Sequence, residues 1–400
     1  MFLFSACSDG PNLWVISRKT GAFAADFFRQ EFTLMRDTSF DFLKTLLETP
    51  SPAGFETRGQ SLWASYAGQF ADKVESDTYG NVFAELNAGA SPKIAIVGHS
   101  DELGLMISYI SEEGYLYFKG IGGVDRAMLR GRRVFVHGRE GPVPGVTGHL
   151  AIHLQESDDR KKVPEFHEVF IDIGARTREE AEKSVRIGDP VTKDANVFQL
   201  GGGRVAARAC DNRIGTWSAA EALRHLAAER QRLSASVIAI STVQEENGRY
   251  GAAMAGYSAR PDVALVVDVA HATDIPICSK TKHGDVKLGG GPVIGIGSAN
   301  HPVLIERLRS VATAKGLPLQ YEVNPRFSGT DADAIFVQRG GIPTVSIGLP
   351  TRYMHSPVEV VDLADLEVLA QLLAEFCFDV RPEETFAVAI ENANLSLRRT

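Results

Sequence analysis

Apolar positions along the chain repeat with two different periods. Phe40, Phe42, Leu43, Leu46 and Leu47 recur at helical spacing, with Ser39 as candidate N-cap and Pro50-Ser51-Pro52-Ala53-Gly54 as the stop. Residues 57–70 read as a second helix, and 81–86 and 94–97 as strands. Between about 104 and 189 the pattern becomes short alternating runs (106–110, 115–118, 133–136, 146–152 and 169–171) punctuated by glycines. That texture predicts an antiparallel β module. From Ile214 a helix–strand rhythm resumes: a helix over 219–228, strand 237–243, a helix near 250–258 and strand 263–267. It continues with a helix near 302–315, a strand near 319–323, a helix over about 331–339, strand 343–347 and a last helix over about 363–378. The pattern predicts one α/β domain in two pieces, residues 35–103 and 193–380, with the β module of residues 104–192 inserted. Residues 1–34 are expected to be a poorly ordered extension, with Met35 a natural beginning, and 381–400 a tail with little packing of its own.

Composition narrows the function classes. The 400 residues are 44% hydrophobic, ample for a large core and two or three domains. A net charge of -8, with no Lys/Arg run or basic face that stands out, argues against a nucleic-acid partner. No apolar stretch approaches the roughly 18 residues a membrane span needs. Cys7, Cys210, Cys278 and Cys377 are scattered without a Cys-x-x-Cys, which fits free thiols in a reducing, cytoplasmic setting. Cys7 invites a lipoprotein reading, but no positive charge precedes it, and its apolar run is shorter than the roughly 7–15 residues of a signal core.

The candidate chemistry lies at the ends of the apolar strands. Residues 93–97 run into His99 and Asp101, 237–243 into Glu245 and Glu246, 263–267 into Asp268, and 343–347 lead on to His355. Charged groups at the carboxyl ends of buried strands need a partner, commonly a metal ion, and open α/β sheets form their sites there. In extended chain, His99 and Asp101 point to the same side, so one could ligate while the other orients its ring. Glu245 and Glu246 point to opposite sides and could divide ligation from base work. Asp211 lies just before a helix and suits either a bridging carboxylate or an N-cap. Taken singly, a hydrogen-bonded loop pair, a solvated Glu pair and a helix cap remain open readings. The donor set of His, Asp and Glu without thiolate suits zinc, cobalt or manganese.

These segments carry a resemblance. His99-Ser100-Asp101-Glu102-Leu103-Gly104, Asp172-Ile173-Gly174-Ala175, Cys210-Asp211-Asn212-Arg213-Ile214-Gly215 and Thr242-Val243-Gln244-Glu245-Glu246 are similar, in order, to segments of the M42 metallo-aminopeptidases. So are Lys287-Leu288-Gly289, Gly329-Thr330-Asp331-Ala332 and the long Arg352-Tyr353-Met354-His355-Ser356-Pro357-Val358-Glu359-Val360. The likeness runs from about Met35 to Phe378. It implies a mixed-sheet α/β/α metallopeptidase domain with an inserted, barrel-like dimerisation domain. It implies two divalent ions per subunit, one held by His99, Asp211 and Asp268 and the other by Asp211, Glu246 and His355. Glu245 would be the general base for a metal-bridging water, and Asp101 would orient His99. The implied substrates are short peptides trimmed from the amino end, and the implied assembly is a homo-oligomer between dimer and dodecamer. Departures from the family pattern include Asn247-Gly248 after the Glu pair, Phe327-Ser328 before Gly-Thr-Asp and Gly290 after Lys-Leu-Gly; none removes an implied ligand.

Other features compete for function. Gly289-Gly290-Gly291 and Gly201-Gly202-Gly203 lack the lysine of a phosphate loop. His355-Ser356 with Asp362 lacks a nucleophile elbow. His271, and the barrel-segment histidines His149, His153 and His167, are alternative ligands. A metal-dependent deacylase on small amides is the close alternative activity. A glycoside hydrolase, using Glu245 with Asp101 or Asp268, would leave His99 and His355 without work.

Overall fold

The computed structural model describes residues 35–194 and 196–390. The expected extension over 1–34, and residues 391–400 of the expected tail, lie outside the described residues. Helix α1 (Asp37–Glu48) begins earlier than a Ser39 cap predicts. Asp37 supplies negative charge to the first turn, and Ser39 is instead buried, accepting a hydrogen bond from Arg36 at 2.8 Å. Helix α2 (Thr57–Ala67) buries Trp63, whose indole N–H donates to the Thr216 carbonyl at 2.7 Å. A polar partner of this kind is what makes so large a ring tolerable inside. Strands β1 (Lys73–Ser76) and β2 (Val82–Leu86) form a hairpin, and β3 (Lys93–His99) follows.

The chain then builds a closed six-stranded barrel. Its strands are β4 (Gly104–Ile110), β5 (Leu116–Ile121), β6 (Arg133–Gly138), β7 (Gly141–Gly148), β8 (Phe170–Asp172) and β9 (Pro190–Lys193), ordered β4-β5-β8-β7-β6-β9. All the ladders are antiparallel, and the interior holds Leu105, Ile107, Leu116, Phe118, Val134, Val136, Ile171 and Val191. β7 differs from the predicted 146–152. It starts earlier, through Pro142 and Pro144, and ends at Gly148. The prolines are tolerated because β8 pairs with β7 only from Val146 onward, leaving the first half an edge. A short helix, α3 (Arg178–Glu182), precedes β9.

On returning, the chain forms β10 (Phe198–Gln199), β11 (Arg204–Ala207), α4 (Cys210–Ala228), β12 (Ser236–Thr242), α5 (Tyr250–Ala259) and β13 (Val263–His271). It continues through α6 (Lys280–His283), β14 (Val293–Ile296), α7 (Pro302–Lys315), β15 (Gln320–Val323), α8 (Ala332–Ile335), β16 (Thr344–Thr351), β17 (Glu359–Asp362) and α9 (Leu363–Asp379). The helix expected over 331–339 is only one turn of α-helix, with a further tight turn at Gln338–Gly340, since Gly340 and Gly341 adopt positive φ.

The main sheet has eight strands in the order β1-β2-β12-β3-β13-β16-β14-β15. Its four central strands, β12, β3, β13 and β16, are parallel, so their carboxyl ends lie side by side. They are buried on both faces, which is why they read as continuous apolar runs. Ile94, Ile96, Val237, Leu265 and Ile347 face the layer containing α1, α2, α4, α7 and α9. Ala95, Val97, Ile240, Ala264 and Val266 face α5 and α8. The result is the α/β/α layering with inserted barrel that the resemblance implies. The stretch after Pro382 packs more than predicted: Phe386 is buried in the same core as Phe376, 6.4 Å away between ring centroids.

Candidate metal centre

Strand register and one close approach assemble the site. Thr242 of β12 lies opposite His99 of β3, and β13 runs beside β3, so residues at the ends of three neighbouring strands share one rim. Helix α4 is drawn against this rim at Gly98, where any Cβ would stand 2.8 Å from the Gly215 and Thr216 backbone. Asn212 fixes the start of α4 to β13 by donating to the Val267 carbonyl at 2.7 Å. Arg213, fully buried, donates to the carbonyls of Ser100, Leu46 and Thr49 and to Glu102, which also pairs with Arg208.

His99, Asp211 and Asp268 bring one ligand atom each within 4.8 Å of one another, and Asp211, Glu246 and His355 do the same. Asp211 belongs to both groups: its Oδ1 lies 3.2 Å from His99 Nε2 and its Oδ2 3.4 Å from His355 Nε2. His99 Nε2 is 3.8 Å from Asp268 Oδ1, and His355 Nε2 is 3.8 Å from Glu246 Oε2. Glu245 stands outside both groups, its Oε2 4.0 Å from His99 Nε2. Asp211 does not cap α4. The N-cap is Ala209, at φ 60°, and non-helical angles at Asp211 turn its carboxylate toward the two imidazoles.

Asp101 contacts more than the His99 ring. Its Oδ1 lies 3.3 Å from His99 Nδ1, and its two oxygens accept the backbone N–H groups of Glu245 and Glu246 at 3.0 Å each. Three further buried carboxylates were given no role by the sequence reading. Glu56 accepts the Gln244 N–H at 3.1 Å, and Asp331 accepts from the Thr242 hydroxyl at 2.6 Å. Glu359 accepts the N–H groups of Asp211 at 3.1 Å and His355 at 2.8 Å. Asp331 and Glu359 both lie within motifs quoted above, and Glu359 shares its motif with His355; that was the available signal.

The electrostatics are those of crowded like charge. Burial, then Asp211, pushes the Glu246 carboxyl well above its ordinary range. Burial raises Asp268 in the same way, with His99 opposing and Asp211 reinforcing. Burial lifts Glu245 to about 8, against the pull of His99. Burial also works against the charged forms of Asp211 and His99. Even so, hydrogen bonds from His355 and His99 hold Asp211 low, and Asp101, Asp211 and Asp268 hold the His99 imidazolium well above its usual pKa. Asp211 likewise raises His355. Buried carboxylates that repel one another this strongly fit a cation between them. Glu246 Oε1 is also buried without a hydrogen-bond partner. The donors are oxygen and imidazole nitrogen, since the buried Cys210 thiol lies toward the Ala207 and Glu359 carbonyls. The residues present therefore fit divalent ions of the zinc, cobalt and manganese kind.

A cleft of about 430 Å³ opens onto this rim, with Glu322, Asn324, Ser328 and Thr330 among the residues on its wall. His271 lines the cleft but belongs to neither group. Among the described residues, His149, His153 and His167 join no such group. Asp362 caps α9 through the Ala364 N–H and pairs with Arg204, so it forms no triad with Ser356. The Gly289 and Gly291 N–H groups are taken by Asp365 at 2.7 Å each.

A profile described as M42 glutamyl aminopeptidase matches residues 80–372. The lysyl aminopeptidase of Pyrococcus furiosus is 32% identical over 348 residues, which cover 86% of this chain and 98% of that one. A solved aminopeptidase from the archaeon Desulfurococcus kamchatkensis is 37% identical, with a TM-score of 0.80 and coverage of 86% of this chain and 96% of its own. The Pyrococcus horikoshii TET1 peptidase, which can assemble into a tetrahedron or a large octahedral shell, is 33% identical with a TM-score of 0.76, covering 86% and 100%.

Proposed function

The chain belongs to the M42 family of aminopeptidases, and from that premise we propose that it removes N-terminal residues from short peptides at a centre for two divalent ions. The observation that carries this reading is the sharing of Asp211 between two three-residue groups, with one oxygen facing each imidazole. His99, Asp211 and Asp268 would hold one ion, and Asp211, Glu246 and His355 the other. When bound, such ions supply Lewis acidity that polarises the scissile carbonyl and eases deprotonation of water.

The protein's own residues do the rest. Glu245 lies outside both groups and borders the cleft, so its carboxylate is free to take a proton from the attacking water. The same proton then passes from Glu245 to the nitrogen of the leaving amine. Burial lifts its proton affinity toward neutrality, as suits a base that must also act as an acid. Asp101 accepts the main-chain N–H groups of Glu245 and Glu246, so base and ligand are held together on the turn that follows β12.

On this reading residues 35–103 and 193–380 are the catalytic domain, and the 104–192 barrel mediates assembly into a homo-oligomer between dimer and dodecamer. Support comes from exposed Val146, Leu150, Ile152, Leu154 and Val163 in the barrel segment, apolar surface that a partner would cover. Among the described residues no helix is long and apolar enough to cross a membrane, and the proposed setting is cytoplasmic.

The test uses metal-stripped protein, aminoacyl-p-nitroanilides, and added Zn2+, Co2+ or Mn2+. Cleavage should return with metal, and Glu245→Gln should lower kcat by about 10²–10⁴-fold while still binding metal. Cleavage confined to N-acetylated substrates would move the assignment to a deacylase.

A further inference from the structure

We propose that Glu359 is a positioning residue that sets the metal affinity of the Asp211–Glu246–His355 group, acting through main-chain amides. It rests on the two-ion reading above. Glu359 is buried at the start of β17 beside Ala207 of β11, the strand that leads into α4. One of its oxygens accepts the N–H of Asp211 at 3.1 Å and the other the N–H of His355 at 2.8 Å. A single carboxylate thus joins two of the three members of this group. His355 needs such a restraint, because its backbone lies in the left-handed region at φ 63°, as does that of Tyr353 at φ 60°. His99 and Asp268 of the other group belong instead to β3 and β13, where strand pairing already fixes them. Asp211 is common to both groups, so loss of Glu359 should reach both, but it should fall hardest on the group that also contains His355.

Glu359→Gln discriminates, because an amide has one accepting oxygen and its NH2 opposes a second N–H donor. The experiment titrates metal-free protein with Zn2+ in a calorimeter and counts bound metal after dialysis. Wild type should take two ions. In Glu359→Gln one ion should bind about 10–100-fold more weakly, the range typical for losing a residue that orients a ligand. The other should change by less than about threefold. In a His355→Ala background, adding Glu359→Gln should weaken the remaining ion by less than about threefold, because only the restraint on the shared Asp211 is left to lose. Equal weakening of both ions, or no change in either, overturns the proposal. If Glu359→Gln fails to fold, Glu359→Asp serves: one methylene shorter, it cannot span both amides, and the same selective loss is expected. Wild-type protein that binds no metal would overturn the two-ion reading itself, whereas two ions with an indifferent Glu359→Gln overturn only the role of Glu359.

Discussion

His99 and His355 face the same carboxylate from two different kinds of structure. His99 ends a strand between two parallel neighbours, and its side chain is 1% exposed. His355 sits in a loop with left-handed backbone, and its side chain is 37% exposed. In the strand half, register and burial place His99 and Asp268. The loop half needs supports from elsewhere: Glu359 beneath its main chain and the Gly123 backbone of the barrel segment beside its ring. A ligand on a strand inherits the precision of the sheet, whereas a ligand on a loop has to be held by named contacts.

The largest expected effect removes what the halves share. Asp211→Asn should lower kcat/KM by about 10⁴-fold or more, some 5.5 kcal/mol, and strip metal from both groups. Steady-state kinetics with metal analysis checks this, and substantial residual activity would mean the halves work independently.

Next comes the strand half's foundation. Glu102 accepts from Ser51 and Arg213 through one oxygen and from Arg208 through the other. Glu102→Gln leaves buried guanidinium charge uncompensated and should cost about 3–5 kcal/mol in urea unfolding. In wild type, burial opposes its ionisation, but Arg208 and Arg213 bring its pKa from 4.5 down to about 2. Between those values the unfolded chain binds more protons than the folded one, so the contribution is complete above about pH 4.5 and is lost as pH falls toward 2.

A third test sets the histidines against each other in unfolding experiments on metal-free protein. His99→Ala should cost about 2 kcal/mol and His355→Ala less than about 0.5 kcal/mol, following burial. Equal costs would erase the distinction. The smallest effect is expected from Gly123→Ala, whose Cβ would meet the His355 ring at 3.4 Å. A two- to threefold fall in kcat/KM, about 0.5 kcal/mol, would register the barrel's touch on the loop half.

The same contrast governs what could be read in the sequence. β12, β3 and β13 announce themselves as unbroken apolar runs because both faces are covered, and the acids at their ends follow directly. The barrel shows through alternation, except where Pro142 and Pro144 hide half of β7. Asp211 was ambiguous in isolation, because Asp suits a helix cap as well as a bridging ligand; only the irregular first turn of α4 separates the two. Glu359 shares a motif with His355, but nothing local shows that it also holds Asp211. It lies on a four-residue strand, and its partners 148 and 4 residues away meet only in the folded chain. The burial of Phe386 likewise depends on the core it meets in the folded chain rather than on any period of its own.

The pairing of Glu102 with Arg208 also bears on how such a molecule can change over time. These two residues flank the inserted barrel, Glu102 just before its first strand and Arg208 just after β11, the second strand formed on the return. With the two stems stapled together, the ends of the excursion meet whatever lies between them. Doubling the length of a flexible excursion then adds only about 0.6 kcal/mol of chain entropy. The far strands of the barrel can therefore be enlarged or trimmed by descendants, or by a protein engineer, so long as the segment around Gly123 that touches His355 is kept.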